Sequence, residues 1–488
     1  MSAVTSNDAT DGLGERWGHP RTLWMLLLVT VGLNFAFYGF RSFLAPYIAQ
    51  AFHADLPEAL ALRNANLLAS GIGAMLYATH VFGGWVADNV LGEVRSLRTA
   101  LWLEALALAL MAWPSRTVFV LALALYALGG GLSIPLTVLV GRNYGADDPR
   151  RDAGYTLFYL AINLGAFVAP FVCADWIGHA FGYRFGFVAA AAGVALSAIL
   201  FQWRGSKLDK AGQPPIRFGG THALATVFIG IALLLYPTMI LLEHPHVLST
   251  VVNVLLGLLM LYFIVSAVRR GERVQTHRYA AMLLLFAANI LFWALSFQGA
   301  TSLNFFARDY VSAPFDFTLF QSANPLYILI FAPVLALLWP WLDRRKFNPS
   351  TPRKFGIGLL LVALSYGVMV YAAHHFIAAN GRMPWWPLAL CYLLQTLGEL
   401  TLSPIGYAMV TRLAAPDEAS LAMGGWFFSY AMAYALSGQI AAMTTTGAVS
   451  GVSGYSHVYE SLLWMGLAVG VLYLLAAPLI TRLMHGAR

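Results

Sequence analysis

The sequence predicts an all-α integral membrane protein of fourteen transmembrane helices, arranged as two six-helix bundles plus an inserted two-helix hairpin. Three observations carry this. Of the 488 residues, 59% are hydrophobic and 10% charged, against roughly 45–50% and about 25% in soluble domains. Apolar stretches of about 20 residues recur from one end to the other, long enough at 1.5 Å per residue to span a bilayer core. The basic residues fall almost wholly into alternate loops. A β-barrel would show ~10-residue alternating segments, and none stand out.

Each element follows from where the apolar runs begin and end. Residues 1–21 are polar and mixed in charge, without the basic, apolar, small-residue order of a signal peptide, and are expected to be an N-terminal tail. Helices are then predicted at 23–51, 66–88, 97–113, 117–142, 153–175 and 182–203, making an N-terminal bundle over 22–204. Next come 221–243 and 247–268, joined by the short EHPH turn at 243–246. The linkers RGSKLDKAGQPPIRFGG (204–220) and RRGERVQTH (269–277) bracket this pair, so 205–276 reads as cytoplasmic linkers with an inserted hairpin. Asn253 is its main interior polar residue, and the hairpin is expected to face lipid. The C-terminal bundle, 277–488, is predicted from helices at 278–307, 317–342, 355–379, 384–413, 419–446 and 457–485.

Of the 29 Lys and Arg, 23 sit in one set of alternate segments and five in the other, with Arg41 apart. That asymmetry places both termini in the cytoplasm. It also assigns the +7 balance to loops beside anionic lipid, and a nucleic-acid partner is excluded. Cys173 and Cys391 both lie in apolar segments, so neither a disulfide framework nor a metal cluster is expected. His374–His375 and His244/His246 lack ligand partners at helical spacing, and no nucleophile–base set is visible. The chain is therefore read as no enzyme, with no cofactor and no metal.

Shifting the sequence by 270 positions aligns Leu132 with Leu402, Ser133 with Ser403, Val140 with Val410, Arg142 with Arg412, Asp147 with Asp417, Gly154 with Gly424 and Phe158 with Phe428. The Arg, Asp and Gly matches lie in loops or at helix starts, where shared hydrophobicity does not explain them. Two halves of six helices in the same sense are the pattern of the major facilitator fold.

An ionised group at mid-membrane costs roughly 2.5–3.5 kcal/mol on insertion scales, so it faces a bundle interior or water. Arg41, in the run FAFYGFRSFLAP (35–46), reads either as half of a helix-pinning ion pair or as an anion clamp. Its planar five-donor fork suits a carboxylate. Glu399, in QTLGELTLSP, reads either as another pinning pair or as a titratable group that holds an amine or carries a proton. His80 reads first as a packed, hydrogen-bonded histidine and second as a proton relay. Glu104 reads as structural. Asp309 and Glu460 lie near helix ends, where hydration suffices. Glycine and proline interrupt several spans: GGG at 129–131 before Pro135, Gly398 before Pro404, Asn324–Pro325, and Gly39 before Pro46. Such breaks fit moving gates or close small-residue packing.

These stretches resemble the proton-dependent oligopeptide transporter family of the major facilitator superfamily, over nearly the whole chain. FAFYGFR (35–41) looks like the end of the family's first-helix signature, ExxERFxYYGxR. GGWVADNVLG (83–92) resembles its helix 2–3 motif, and RRDAGYTLFYLAINLGAFVAP (150–170) is very close to its second signature. FWALSFQG (292–299), FQSANP (320–325) and GELTLSPIGYAMVTRLA (398–414) match the family's helices 7, 8 and 10, and Trp426 falls at its helix 11 tryptophan. The hairpin resembles the two additional helices of bacterial members, which implies a bacterial inner membrane.

The resemblance implies a central cavity lined by Tyr38, Arg41, Tyr77, Asn163, Asn324, Glu399, Ser403 and Trp426. Arg41 would attract a peptide's carboxylate and Glu399 its ammonium. Asn163 and Asn324 would hydrogen-bond the peptide backbone, and Tyr38, Tyr77 and Trp426 would wall the side chains. Proton coupling is expected at Glu399, with His80. Asp88, Arg95 and Pro404 are expected to serve structure or gating. The partners implied are short peptides or similar small zwitterions, protons and membrane lipid, and a monomer suffices.

The departures make this an atypical member. The glutamates and first arginine of ExxER are replaced by Thr30, Leu33 and Asn34. The helix 4 lysine position falls on Ser133 or Ile134, and the helix 7 acidic position on Phe297. Import of di- and tripeptides with protons by alternating access is therefore the leading expectation. Carriage or export of another small anion or zwitterion, weak coupling, and a non-transporting relative stay open beside it.

Overall fold

The computed structural model describes residues 15–145, 148–208, 221–445 and 451–486. Nearly everything described is helical. α1 (Arg21–Phe52) runs unbroken through Pro46. α2 (Glu58–Val86) widens into a π turn, Ala87–Leu91, and α3 (Glu93–Met111) follows. Gly92, between them, has φ +75°, a conformation that glycine takes without strain. α4 (Arg116–Gly131) and α5 (Pro135–Gly141) form one predicted span, broken where the GGG and Pro135 suggested. α6 (Arg151–Pro170), a π segment (Phe171–Trp176) and α7 (Ile177–Phe181) continue one another. α8 (Tyr183–Arg204), α9 (Thr221–Glu243) and α10 (Pro245–Arg270) follow. α11 (Arg273–Ser296) and α12 (Ser302–Tyr310) are separated by a 3-10 turn at Phe297–Ala300. The last five are α13 (Ala323–Arg344), α14 (Thr351–His375), α15 (Trp386–Leu413), α16 (Ala419–Met443) and α17 (Val452–Leu483). Four two-residue strands pair as β1 (Glu15–Arg16) with β2 (His19–Pro20), antiparallel, and β3 (Val311–Ser312) with β4 (Met383–Pro384), parallel.

Twelve of the described helices or continuous helical runs are long and apolar enough to cross a bilayer. α3 and α16, which the sequence also counts as spans, are helices of 19 and 25 residues but are not among the twelve. α3 carries Glu93, Arg95, Arg98 and Glu104, and α16 is diluted by Gly424, Gly425, Ser429, Tyr430, Tyr434 and Gln439. α2 begins at Glu58, well before the expected 66, because hydropathy marks entry into lipid and a helix can start in water. The carbonyl of Pro57 takes the N–H groups of Leu60 and Ala61 there.

Helix breaks inside a bilayer free carbonyls that neighbours must satisfy. Ser96 Oγ donates to the Leu132 carbonyl at 3.0 Å, in the α4–α5 break. In the α11–α12 break the Gly299 carbonyl accepts from Gln321 and, at 3.2 Å, from Tyr392. This second break falls inside the single helix expected at 278–307.

The chain divides into two compact units, Met1–Phe43 with Ala78–Glu243, and Leu44–Tyr77 with His244–Arg488. In the first, α3 packs on α4 and α8, and α9 lies against α4. Small residues set the approach: a β-carbon at Gly83 would strike the Gly131 carbonyl, and one at Gly165 the Val31 carbonyl. The β1–β2 hairpin is clipped to the segment before α6. Arg150 binds Glu15 at 2.7 Å and the Gly18 carbonyl at 3.2 Å, and His19 Nδ1 meets Tyr144 Oη at 2.7 Å. In the second unit, α14 packs on α15 and α17, and α11 on α16. α10 joins α11 and α16 there. The inserted hairpin thus contributes α9 to one unit and α10 to the other.

Glu418, 7% exposed between α15 and α16, anchors α10. It accepts from Ser266 at 2.7 Å, Tyr262 at 3.0 Å and Tyr279, and lies 3.3 Å from Arg270. Burial pushes its carboxyl up, but these hydrogen bonds outweigh burial and hold it below the ordinary value.

Candidate functional site

In the first unit, α1 packs by Phe40 against Tyr126 (5.0 Å between centroids) and by Phe43 against Tyr183 (5.0 Å). Tyr38 and Arg41 are half-buried. The guanidinium carbon of Arg41 lies 5.8 Å from the Phe37 ring and 5.6 Å from the Tyr38 ring. Those distances are at the edge of cation–π reach. Asn163, on α6, is buried, and its amide nitrogen donates to the Tyr159 carbonyl at 2.9 Å, one turn back. His80, on α2, is half-buried and hydrogen-bonds the backbone of Gly130. Glu104 is buried and bonded to the Tyr126 hydroxyl.

Beside the α2–α3 turn, Asp88 is exposed and Arg95 half-buried. The ion pair at this turn is Glu93 with Arg142, at 2.5 Å. Sequence reading missed Glu93, although its place one residue past the GGWVADNVLG stretch was a usable signal. Asp147, aligned by the internal repeat, lies outside the described residues.

In the second unit, α15 presents Thr396, Glu399 and Ser403 at i, i+3 and i+7, one face of a helix. Asn324, at the start of α13, donates its amide to Glu399 Oε2 at 2.8 Å and to Thr396 Oγ1 at 3.0 Å. Asn324 and Glu399 are thus brought together, and Thr396 is the partner that sequence reading missed. Ser403 Oγ is buried and has no hydrogen-bond partner among the described residues, and the same holds for Trp293 Nε1 and Ser296 Oγ of α11. Pro404 falls in α15, with its side chain outside the described residues.

Trp426 is 0% exposed, packed against Phe286 (5.7 Å) and over Gly406, where a β-carbon would strike its ring. Tyr430 and Tyr434 follow it at i+4 and i+8 on α16. Tyr77 stacks on both, at 5.1 and 5.7 Å. Tyr434 in turn stacks on Phe297 at 3.7 Å, and Trp293 lies 5.2 Å from Tyr430. Sequence reading missed Tyr430, Tyr434 and Trp293 as parts of this wall.

The replaced positions are neutral, and the polar ones are bonded to their own helices. Thr30 Oγ1 donates to the Leu26 carbonyl at 2.7 Å, Asn34 Nδ2 to the Thr30 carbonyl at 2.9 Å, and Ser133 Oγ to the Gly130 carbonyl at 2.7 Å. Phe297 fills its place with an aromatic stack.

Comparison with known proteins adds identity to this geometry. Residues 94–458 match the model of the POT family. The chain is 32% identical to the peptide transporter YePEPT of Yersinia enterocolitica over 445 residues, 86% of each chain. It is 31% identical to the uncharacterized transporter YclF of Bacillus subtilis and 30% identical to dipeptide and tripeptide permease A of Erwinia pyrifoliae, over 96% and 95% of each chain. Among solved structures, a peptide transporter POT in complex with sulfate aligns with TM-score 0.84 at 30% identity, covering 98% of both chains. A POT family transporter in complex with 5-aminolevulinic acid aligns with TM-score 0.83 at 26% identity, covering 96% of this chain and 98% of that one.

Proposed function

The chain belongs to the POT family of membrane transporters, and from that membership we propose that it imports di- and tripeptides with protons by alternating access. In this reading it sits in a bacterial inner membrane with both termini cytoplasmic. The relatives named as peptide transporters and as a dipeptide and tripeptide permease support the substrate class. The observation that carries the proposal is the Glu399 carboxylate, held by Asn324 at 2.8 Å inside a spanning helix. A carboxylate is costly there and is retained where it serves a pathway. Arg41, half-buried in α1, supplies the opposite charge in this reading.

The roles divide by chemistry. Arg41 takes the peptide carboxylate through a bidentate fork. Glu399 takes the ammonium and carries the proton, with His80 as a secondary proton site. Asn163, Asn324 and Ser403 serve backbone groups, and the buried donors on Trp293 and Ser296 supply further bonds that a peptide carbonyl can accept. Tyr38, Tyr77 and Trp426 belong to aromatic walls that accept varied side chains. Asp88, Arg95 and Pro404 serve gating, joined by the Glu93–Arg142 pair. A zwitterionic backbone is the feature all short peptides share, so two opposite charges select length and termini while the walls ignore sequence.

A second reading, carriage of another small zwitterion, is favoured by the neutral replacements at Thr30, Asn34, Ser133 and Phe297. Affinities of the purified protein for dialanine, its N-acetyl derivative and its C-terminal amide test the first reading. Each cap should weaken binding at least tenfold. Absence of dialanine binding favours the second reading, and equal binding of all three removes the two-charge account.

A further inference from the structure

We propose that the segment joining α13 to α14, Asp343–Lys354, is a binding site for the headgroup of an anionic phospholipid. Its sequence, DRRKFNPSTPRK, holds five basic residues and one acid. Among the described residues no carboxylate lies within ion-pair distance of Arg344, Arg345, Lys346, Arg353 or Lys354. Arg142, Arg150 and Arg270, at other helix ends, each hold one at 2.5–2.9 Å. The single acid, Asp343, is engaged by the Asn348 amide at 3.3 Å and lends its charge to Lys354, which is 8% exposed, leaving the four exposed cations to other partners.

The backbone builds the site. α13 closes with Phe347 N–H on the Leu342 carbonyl and Lys346 N–H on the Asp343 carbonyl, both 2.9 Å. Lys346 sits in the left-handed region at φ +61°. This is the closure in which the residue after the left-handed one usually packs back on the last turn. Phe347 instead projects outward, 75% exposed. The Arg345 guanidinium stands 4.2 Å over Trp341, itself 42% exposed, and the Lys354 ammonium 4.2 Å over Trp339.

Both flanking stretches, Phe317–Arg344 and Thr351–His375, are long and apolar enough to span the bilayer. Six residues join them, too few to carry the loop away from the membrane surface. The segment therefore offers the exposed cations Arg344, Arg345, Lys346 and Arg353 at headgroup level, tryptophans of the interfacial belt, and one exposed phenylalanine to enter the acyl boundary. A soluble phosphate satisfies the cations and leaves Phe347 in water. A phospholipid satisfies both.

The test is native mass spectrometry of the full chain with equimolar phosphatidylglycerol and phosphatidylcholine. The wild type should retain phosphatidylglycerol preferentially. Arg344→Gln with Arg345→Gln and Lys346→Asn should lower that preference on the order of a hundredfold, from the roughly fivefold each basic residue near an anionic surface contributes. Asn tolerates the left-handed backbone at 346. Arg344→Lys with Arg345→Lys should keep the preference, and its loss there would overturn a charge-based site. Phe347→Ser should weaken the adduct about tenfold, while soluble glycerophosphoglycerol fails to displace it. An undiminished preference in the triple variant, or displacement by the soluble headgroup with Phe347→Ser silent, overturns the proposal.

Discussion

Replacing Arg41 by alanine separates a substrate-reading charge from a helix-pinning one. Exposed ion pairs contribute about 0.2–1 kcal/mol, whereas stranding one member of a buried pair costs about 3–5 kcal/mol. Arg41 is half-buried, with the Tyr38 and Phe37 rings 5.6 and 5.8 Å from its guanidinium carbon. A bidentate bond to a peptide carboxylate there is worth about 2–3 kcal/mol, or roughly 30- to 150-fold in affinity. A C-terminally amidated peptide offers only a neutral acceptor, worth about 0.5–1.5 kcal/mol. Arg41→Ala should therefore weaken a free-acid dipeptide roughly 30- to 150-fold and its amide by no more than about tenfold. The cycle of two proteins and two ligands should give a coupling of about 1.5 kcal/mol. Titration calorimetry on detergent-purified protein reads all four corners, with thermal unfolding of each variant as the folding control. Equal losses for acid and amide would refute the carboxylate role, and a large drop in Tm with unchanged affinity would mark a pinning role instead.

Two further outcomes follow from named contacts. Glu399→Gln should abolish proton-driven accumulation while leaving partial counterflow, since the Asn324 amide can still donate to the new carbonyl; intact accumulation would place coupling elsewhere. Glu418→Gln should destabilise the protein by about 3 kcal/mol, the lower end for breaking a buried charged network, because Arg270 keeps Asp417 at 2.5 Å. The Glu418 carboxyl is held below its ordinary 4.5 in the folded state, so its contribution is full above that value and is lost as pH falls through the lowered one. The Tm gap between wild type and variant should be widest near pH 7 and close below about pH 4.5.

Periodicity and length made the spans legible because a bilayer imposes one thickness on every helix. The breaks were half legible. GGG before Pro135 announced the α4–α5 interruption, whereas Pro46 sits in an unbroken α1. The α11–α12 break depends on Gln321 and Tyr392 from distant segments, which no local pattern reveals. Charged residues in apolar runs pointed to Arg41 and Glu399 because the membrane makes them expensive. Thr396 escaped notice because a threonine costs little in a helix, and only the fold shows it sharing the Asn324 amide with Glu399. The Tyr77–Tyr430–Tyr434–Phe297 stack was hidden for a related reason: aromatic residues are everywhere in this chain, 14% of it, so spacing alone does not single them out.

The most direct measurement is uptake of labelled dialanine into proteoliposomes holding the purified protein, with and without an inward-acid pH gradient. The account predicts accumulation above the external concentration with the gradient and equilibration only without it. No dialanine flux under either condition would contradict it.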